Sequence, residues 1–275
     1  MLRILKESSC LGATISNIDL SQTISTNDKE TIKKALAKYE VLFFRNQDIA
    51  PNKHKEFALI FGSLQSHPVY PTVKGFPEIT ILENDELRPS KIEEWHTDMT
   101  FKATPPLGSI LIGKIIPKSG GDTLFASLST AYNDLPNKLK SKLDKLTATH
   151  SFVYGFKESL EESYGTDKLQ KAVKENPPVI HPVIRTHPET GKKLIYVNTL
   201  FTEKINEVNE QESKELLDFL CEHIKKEEYI CRFKWEKDSI AFWDNRSVIH
   251  KPDNNYWPQL RRMERITIED ALPPT

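Results

Sequence analysis

From about Glu78 onward the chain is a long series of short β-rich runs with no regular alternation of helices between them. The runs are EITIL (78–82), SILIGKII (109–116), DTLFA (122–126), VIHPVI (179–184), LIYV (194–197), YICRFKW (229–235), SIAFW (239–243) and RITI (265–268). Val, Ile, Phe, Tyr and Trp enrichment with Gly and Pro between the runs predicts strands. A parallel βαβ architecture needs a helix after nearly every strand, so this order excludes it. What remains is an α+β chain with a double-stranded β-helix (jelly-roll) core and flanking helices.

The helices gather at the front and in two insertions. Asn27 to Lys38 is predicted helical, with Asn27 and Glu30 at capping-box spacing and Ile32, Ala35, Leu36 and Tyr39 on one face. Val41–Phe44 reads as a buried strand, and Pro51 opens a second helix that Gly62 closes. Lys157 to Lys174 and Asn209 to Lys225 are the insertions, the latter with Asn209 and Glu212 as its capping pair. No internal repeat, low-complexity tract or linker divides the chain, so residues 1–275 are read as a single domain.

Charge removes several function classes. Lys plus Arg number 38 against 39 Asp plus Glu, a net charge of −1. No bulk field draws the chain to nucleic acid or an anionic membrane, and any anion recognition must come from a local cluster. Cys10, Cys221 and Cys231 are an odd set without a CxxC pair. This argues against a disulfide framework or a zinc–thiolate site and suits a reducing, cytoplasmic setting. No apolar stretch has the length to span a bilayer.

The sharpest local signal is His96-Thr97-Asp98, in EWHTDMTF. On an extended segment residues i and i+2 point to one side, so this imidazole and carboxylate can share a metal. They supply two ligands of a 2-His-1-carboxylate triad, which leaves positions open on non-haem iron. An HxD pair is common by chance, so its weight depends on its partners. His250 closes the segment WDNRSVIH after a β-rich run and is the candidate third ligand. Downstream, Arg261 and Arg265 share one face of a predicted strand. One guanidinium fork can hold the far carboxylate of a dicarboxylate cosubstrate, the other an anionic substrate head.

WHTDMTF (95–101), GGDTLFAS (120–127), WDNRSVIH (243–250) and PQLRRMERITI (258–268), in that order, resemble the taurine dioxygenase family of iron/2-oxoglutarate enzymes. FGSLQSHPVYP (61–71), HPVIRTHPETGK (181–192) and YVNTLFT (196–202) extend the resemblance over nearly the whole chain. It implies Fe(II) on His96, Asp98 and His250, with 2-oxoglutarate as cosubstrate and O2 as oxidant. Thr123 and Arg261 match the groups that hold the far carboxylate of 2-oxoglutarate, and His67 and Arg265 those that bind a substrate sulfonate. Tyr70, Phe156 and Phe201 match the pocket wall, with Met99 and Phe101 beside the metal ligands. A small anionic substrate and a homo-oligomer, dimer or tetramer, are likewise implied.

One departure bears on substrate. Where the family places an Asn against the taurine amine, this chain has Ile92, within SKIEEW. Ile cannot hydrogen-bond, so a buried amine loses a partner, a cost on the order of 1–3 kcal/mol. Glu264, between the two arginines, is a second change and should face away on the other side of the strand. The implied reaction is hydroxylation of taurine or a related alkylsulfonate, with release of sulfite and an aldehyde. The alternatives are the same chemistry on an alkyl sulfate, a carboxylate or an amino-acid-derived biosynthetic intermediate. A zinc hydrolase could use the same ligand types, but it leaves Thr123 and Arg261 without a role.

Overall fold

A computed structural model describes residues 2–66, 70–90, 92–156 and 167–275, with only the backbone for 167–169. Its centre is a nine-stranded sheet. In spatial order eight strands run Arg3–Lys6, Ala13–Ser16, Val41–Phe44, Ile240–Asp244, Gly108–Ile115, Arg261–Ile268, Phe76–Asn84 and Thr72–Val73, and Leu64–Gln65 pairs the end of Arg261–Ile268. Only Ala13–Ser16 against Val41–Phe44 is parallel within it. A three-stranded antiparallel sheet, Ile230–Phe233, Thr123–Ser127 and Val248–Pro252, closes over it.

The alternation of side chains shows why the central strands are apolar on both faces. Leu42, Phe44, Ile110, Ile112, Ile266 and Ile268 point to a core shared with Ile32 and Leu36 of helix Thr26–Tyr39 and Phe57 of helix Pro51–Ala58. Val41, Phe43, Leu111, Ala241, Trp243 and Met263 point the other way, against Phe125, Phe233 and Val248 of the small sheet. That second layer is the inside of the jelly roll. Met263 faces it with Arg261 and Arg265 at the same parity, so the two guanidinium groups enter the roll from one strand. Glu264 lies on the opposite face, 3.5 Å from Arg262, as expected.

Local predictions meet the structure unevenly. Helix Glu210–His223 has Asn209 as N-cap, its side chain accepting from Glu212 N. The first helix instead begins at Ser25, whose hydroxyl accepts from Asp28 N. Two short helices absent from the sequence reading, Leu128–Asn133 and Asn137–Leu143, follow the Thr123–Ser127 strand. The first is started by Ser127, which accepts from Thr130 N. Of the predicted 157–174 helix, Asp167–Glu175 is described; 157–166 lie outside the described residues. All three cysteines are free. Among the described residues no helix is long and apolar enough to cross a membrane.

Candidate metal and anion site

His96, Asp98 and His250 come together at the mouth of the roll, their ligand atoms within 4.8 Å of one another and all three residues buried. The expected extended segment at 96–98 pairs through one isolated bridge. His96 and His250 exchange backbone hydrogen bonds, each 2.9 Å, and the chain then turns through Met99 at φ 54°. A single antiparallel bridge suffices, because it sets the two imidazoles side by side with ring centroids 4.3 Å apart.

The tautomer of His96 is decided by its neighbour. Nδ1 lies 2.9 Å from Glu94 O, an acceptor only, so Nδ1 carries the proton and Nε2 offers its lone pair. Both Nε2 atoms face one carboxylate oxygen, Asp98 Oδ1, at 3.7 Å from His96 and 3.9 Å from His250. The other oxygen, Oδ2, accepts from Ser109 Oγ at 3.1 Å. Asn245 grips the Asp98 backbone from both sides: Oδ1 accepts from Asp98 N at 2.8 Å and Nδ2 donates to Asp98 O at 2.9 Å. Nδ2 also donates to Pro106 O at 3.2 Å, pinning the loop's far end.

Electrostatics keep these groups in the forms a divalent metal needs. Burial lowers the His96 pKa despite Asp98, and burial and then His96 push His250 down to about 3, so both rings are neutral. Burial opposes ionisation of Asp98, but the Arg265 guanidinium, with the Ser109 hydrogen bond adding to it, holds the carboxyl below its ordinary range. Two neutral imidazole nitrogens and one carboxylate oxygen suit Fe(II) with open positions.

The two arginines of the same strand differ in surroundings. Arg265 Nη1 lies 3.6 Å from Asp98 Oδ1, at the edge of the metal cluster, and its buried Nε has no hydrogen-bond partner among the described residues. Arg261 is buried with its guanidinium over the rings of Tyr256 and Trp235, 5.6 Å and 6.0 Å from their centroids. Its Nε makes no hydrogen bond, and among the described residues it forms no ion pair. Burial lowers its pKa, with Tyr256 and Asp122 acting against that. The GGDT turn brings Thr123 into the same corner. Gly120 and Gly121 both have positive φ, and a side chain at Gly120 would collide with Asn255.

Beyond Asp98, Phe101 is the hub of an aromatic group: Phe201 at 5.0 Å, Phe152 at 5.1 Å and Phe156 at 6.4 Å. Asn198 positions Phe201, its Oδ1 accepting from Leu200 N and Phe201 N at 3.1 and 2.8 Å. Tyr70 is 38% exposed, and His67 lies outside the described residues. Ile92 is half-buried, and its carbonyl accepts from Asn254 Nδ2 at 3.0 Å.

Sequence reading thus named the three converging ligands, both arginines, Thr123 and two of the four phenylalanines by candidate role, and Phe101 by its place beside the ligands. It missed Ser109, Asn245, Trp235, Phe152 and Asn198. Asn245 stood inside the WDNRSVIH motif, so its identity was visible even though its partner was not.

Comparison with known proteins gives a consistent set of likenesses. The model of the family described as taurine catabolism dioxygenase TauD, TfdA family, matches residues 4–267. An alkylsulfatase of Acinetobacter baylyi is 36% identical over 97% of this chain and 84% of its own. An alpha-ketoglutarate-dependent sulfate ester dioxygenase of Pseudomonas putida is 33% identical over 96% and 88%. The crystal structure of a taurine dioxygenase from Burkholderia xenovorans superposes with a TM-score of 0.85 at 33% identity, covering 99% of this chain and 90% of that one.

Proposed function

Since the chain belongs to the TauD/TfdA dioxygenase family, we propose that it is an Fe(II)- and 2-oxoglutarate-dependent dioxygenase that hydroxylates the carbon next to the anionic group of an alkyl sulfate or alkylsulfonate. The observation that carries this is one strand face: Arg265 at the edge of the His96/Asp98/His250 cluster, and Arg261 buried further along it with no ion pair among the described residues. The buried Arg261 forms no ion pair among the described residues, and the half-buried Arg265 shares Asp98, at 3.6 Å, with the metal cluster, so each guanidinium has room for an anion from outside.

His96 Nε2, His250 Nε2 and Asp98 Oδ1 would hold the iron. Bound there, Fe(II) with 2-oxoglutarate and O2 supplies the oxidising power, and 2-oxoglutarate leaves as succinate and CO2. Thr123 and Arg261 take the far carboxylate of the cosubstrate. Arg265 takes the sulfo group, whose three acceptor oxygens suit a guanidinium fork, and orients the adjacent C–H toward the metal face. His67 is the second donor in this reading. Phe101, Phe152, Phe156 and Phe201 exclude water and accept an apolar tail. Hydroxylation of an alkyl sulfate at the ester carbon yields a hemiacetal sulfate that collapses to aldehyde and sulfate. A sulfonate yields aldehyde and sulfite by the same logic.

The aromatic wall and Ile92 favour an apolar tail over the ammonium of taurine, which finds no carboxylate among these four rings. Succinate formation and release of sulfate or sulfite, measured across hexyl sulfate, hexanesulfonate and taurine, test the reading. Turnover of the hexyl compounds ahead of taurine is expected. Cosubstrate turnover without product from any sulfur anion would overturn the substrate assignment.

A further inference from the structure

Trp235 follows the Ile230–Phe233 strand, is buried, and touches both groups assigned above to the far carboxylate of 2-oxoglutarate. Its indole Nε1 donates to Thr123 Oγ1 at 3.0 Å, and the Arg261 guanidinium carbon lies 6.0 Å from its ring centroid. Its seat is tight. Phe233 meets it edge-on at 4.8 Å, and a side chain at Gly113 would press on the ring.

The chemistry of the bond has a direction. An indole N–H can only donate, so the Thr123 oxygen must accept there, and the threonine's own hydrogen is left for another acceptor. Among the described residues no acceptor is paired with that hydrogen. The ring beneath Arg261 meanwhile restricts where the guanidinium can swing. We propose that Trp235 is a positioning residue for the cosubstrate: it commits Thr123 to donate and holds Arg261 in place, so that both aim at one carboxylate. This rests on the assignment of Thr123 and Arg261 to 2-oxoglutarate.

The test uses the full chain loaded with Mn(II), without turnover, and reads binding by calorimetry. Trp235→Phe keeps a ring and loses the N–H. It should weaken 2-oxoglutarate binding roughly three- to ten-fold, the range of one hydrogen bond. Binding of 2-oxobutyrate, which lacks the far carboxylate, should be unchanged. In the Thr123→Val background the same change should add little, because the pair is already broken. Equal weakening of both oxo acids, unchanged 2-oxoglutarate binding, or additive losses would each overturn the inference. Arg261→Leu separates the levels. If it abolishes 2-oxoglutarate binding while Trp235→Phe does nothing, only the role of Trp235 fails; if it leaves binding intact, the underlying assignment fails.

Discussion

Arg246 and Arg261 are both buried, at 4% and 7% exposure, yet the chain completes only one of them. Arg246 donates from Nε to Asp244 Oδ1 at 2.9 Å and from Nη2 to Asp244 Oδ2 at 2.8 Å and Glu189 Oε1 at 2.7 Å. His187 Nε2 lies 3.0 Å from Asp244 Oδ2 on the other side. Burial works against the Arg246 charge, but Asp244 and Glu189 more than offset it, and Asp244 is in turn held far below the ordinary carboxylate range. Arg261 has two aromatic rings and, among the described residues, no ion pair. A guanidinium cannot shed its proton, so burying it without an anion is unfavourable. The first arginine therefore belongs to the fold and ties the turn that leads to His250 onto the 187–189 segment. The second is completed by what binds.

Substituting each arginine by leucine is the strongest way to break this comparison. Arg246→Leu leaves Asp244 buried and under-paired, and should cost about 3–5 kcal/mol of stability, read from urea midpoints. Arg261→Leu removes an unpaired buried charge and should leave stability unchanged or raised. It should weaken 2-oxoglutarate on the order of 100-fold through loss of a charge-assisted fork. Comparable destabilisation by both variants would erase the distinction.

A smaller effect is expected where the fold meets the metal. Asn245→Ala removes three hydrogen bonds, two of them on the Asp98 backbone. Ser109→Ala removes one from the carboxylate itself. Groups that orient ligands without touching the metal are typically worth about 10–100-fold in affinity. Metal titration of the apo protein should place Asn245→Ala within that range and Ser109→Ala at or below its lower end. The reverse order would mean that the carboxylate rotamer, not the loop, is what must be held.

The same contrast explains what could be read from residues alone. His96 and Asp98 are two positions apart and Arg261 and Arg265 four, so local parity places each pair on one side before any contact is known. The strand series was legible because Val41–Phe44 and Gly108–Ile115 carry apolar residues on both faces. Asn245 and Trp235 act on partners 147 and 112 residues away; the motif around Asn245 marks the residue but not its partner, and nothing near Trp235 in the chain points to Thr123. The start of the first helix was misplaced for another reason. Ser25 with Asp28 and Asn27 with Glu30 are overlapping capping patterns, and propensity does not choose between them.

Histidine offers a third way to settle a buried cation, and so a gentler test. His54 is 1% exposed, and among the described residues neither ring nitrogen has a well-formed hydrogen bond. Burial, with Lys114 adding to it and the Ile110 backbone opposing, pushes its pKa from 6.5 down to about 3. Where Arg246 takes a carboxylate and Arg261 awaits a ligand, His54 simply stays neutral. Below pH 6.5 the unfolded chain binds a proton there that the folded chain refuses until about pH 3. Stability from this group is therefore fully present at alkaline pH and falls as pH drops through that window. At pH 5.5 the loss relative to pH 8 should be roughly 1.4 kcal/mol from His54 alone. His150, also held neutral by burial, adds a similar slope. In His54→Leu the pH 8 to 5.5 loss should shrink by about that amount, whatever the leucine does to packing, because packing shifts both pH values equally. An unchanged slope in urea denaturation would mean that His54 gains its proton in the folded state, and that burial alone does not decide the charge of an unpaired cation in this core.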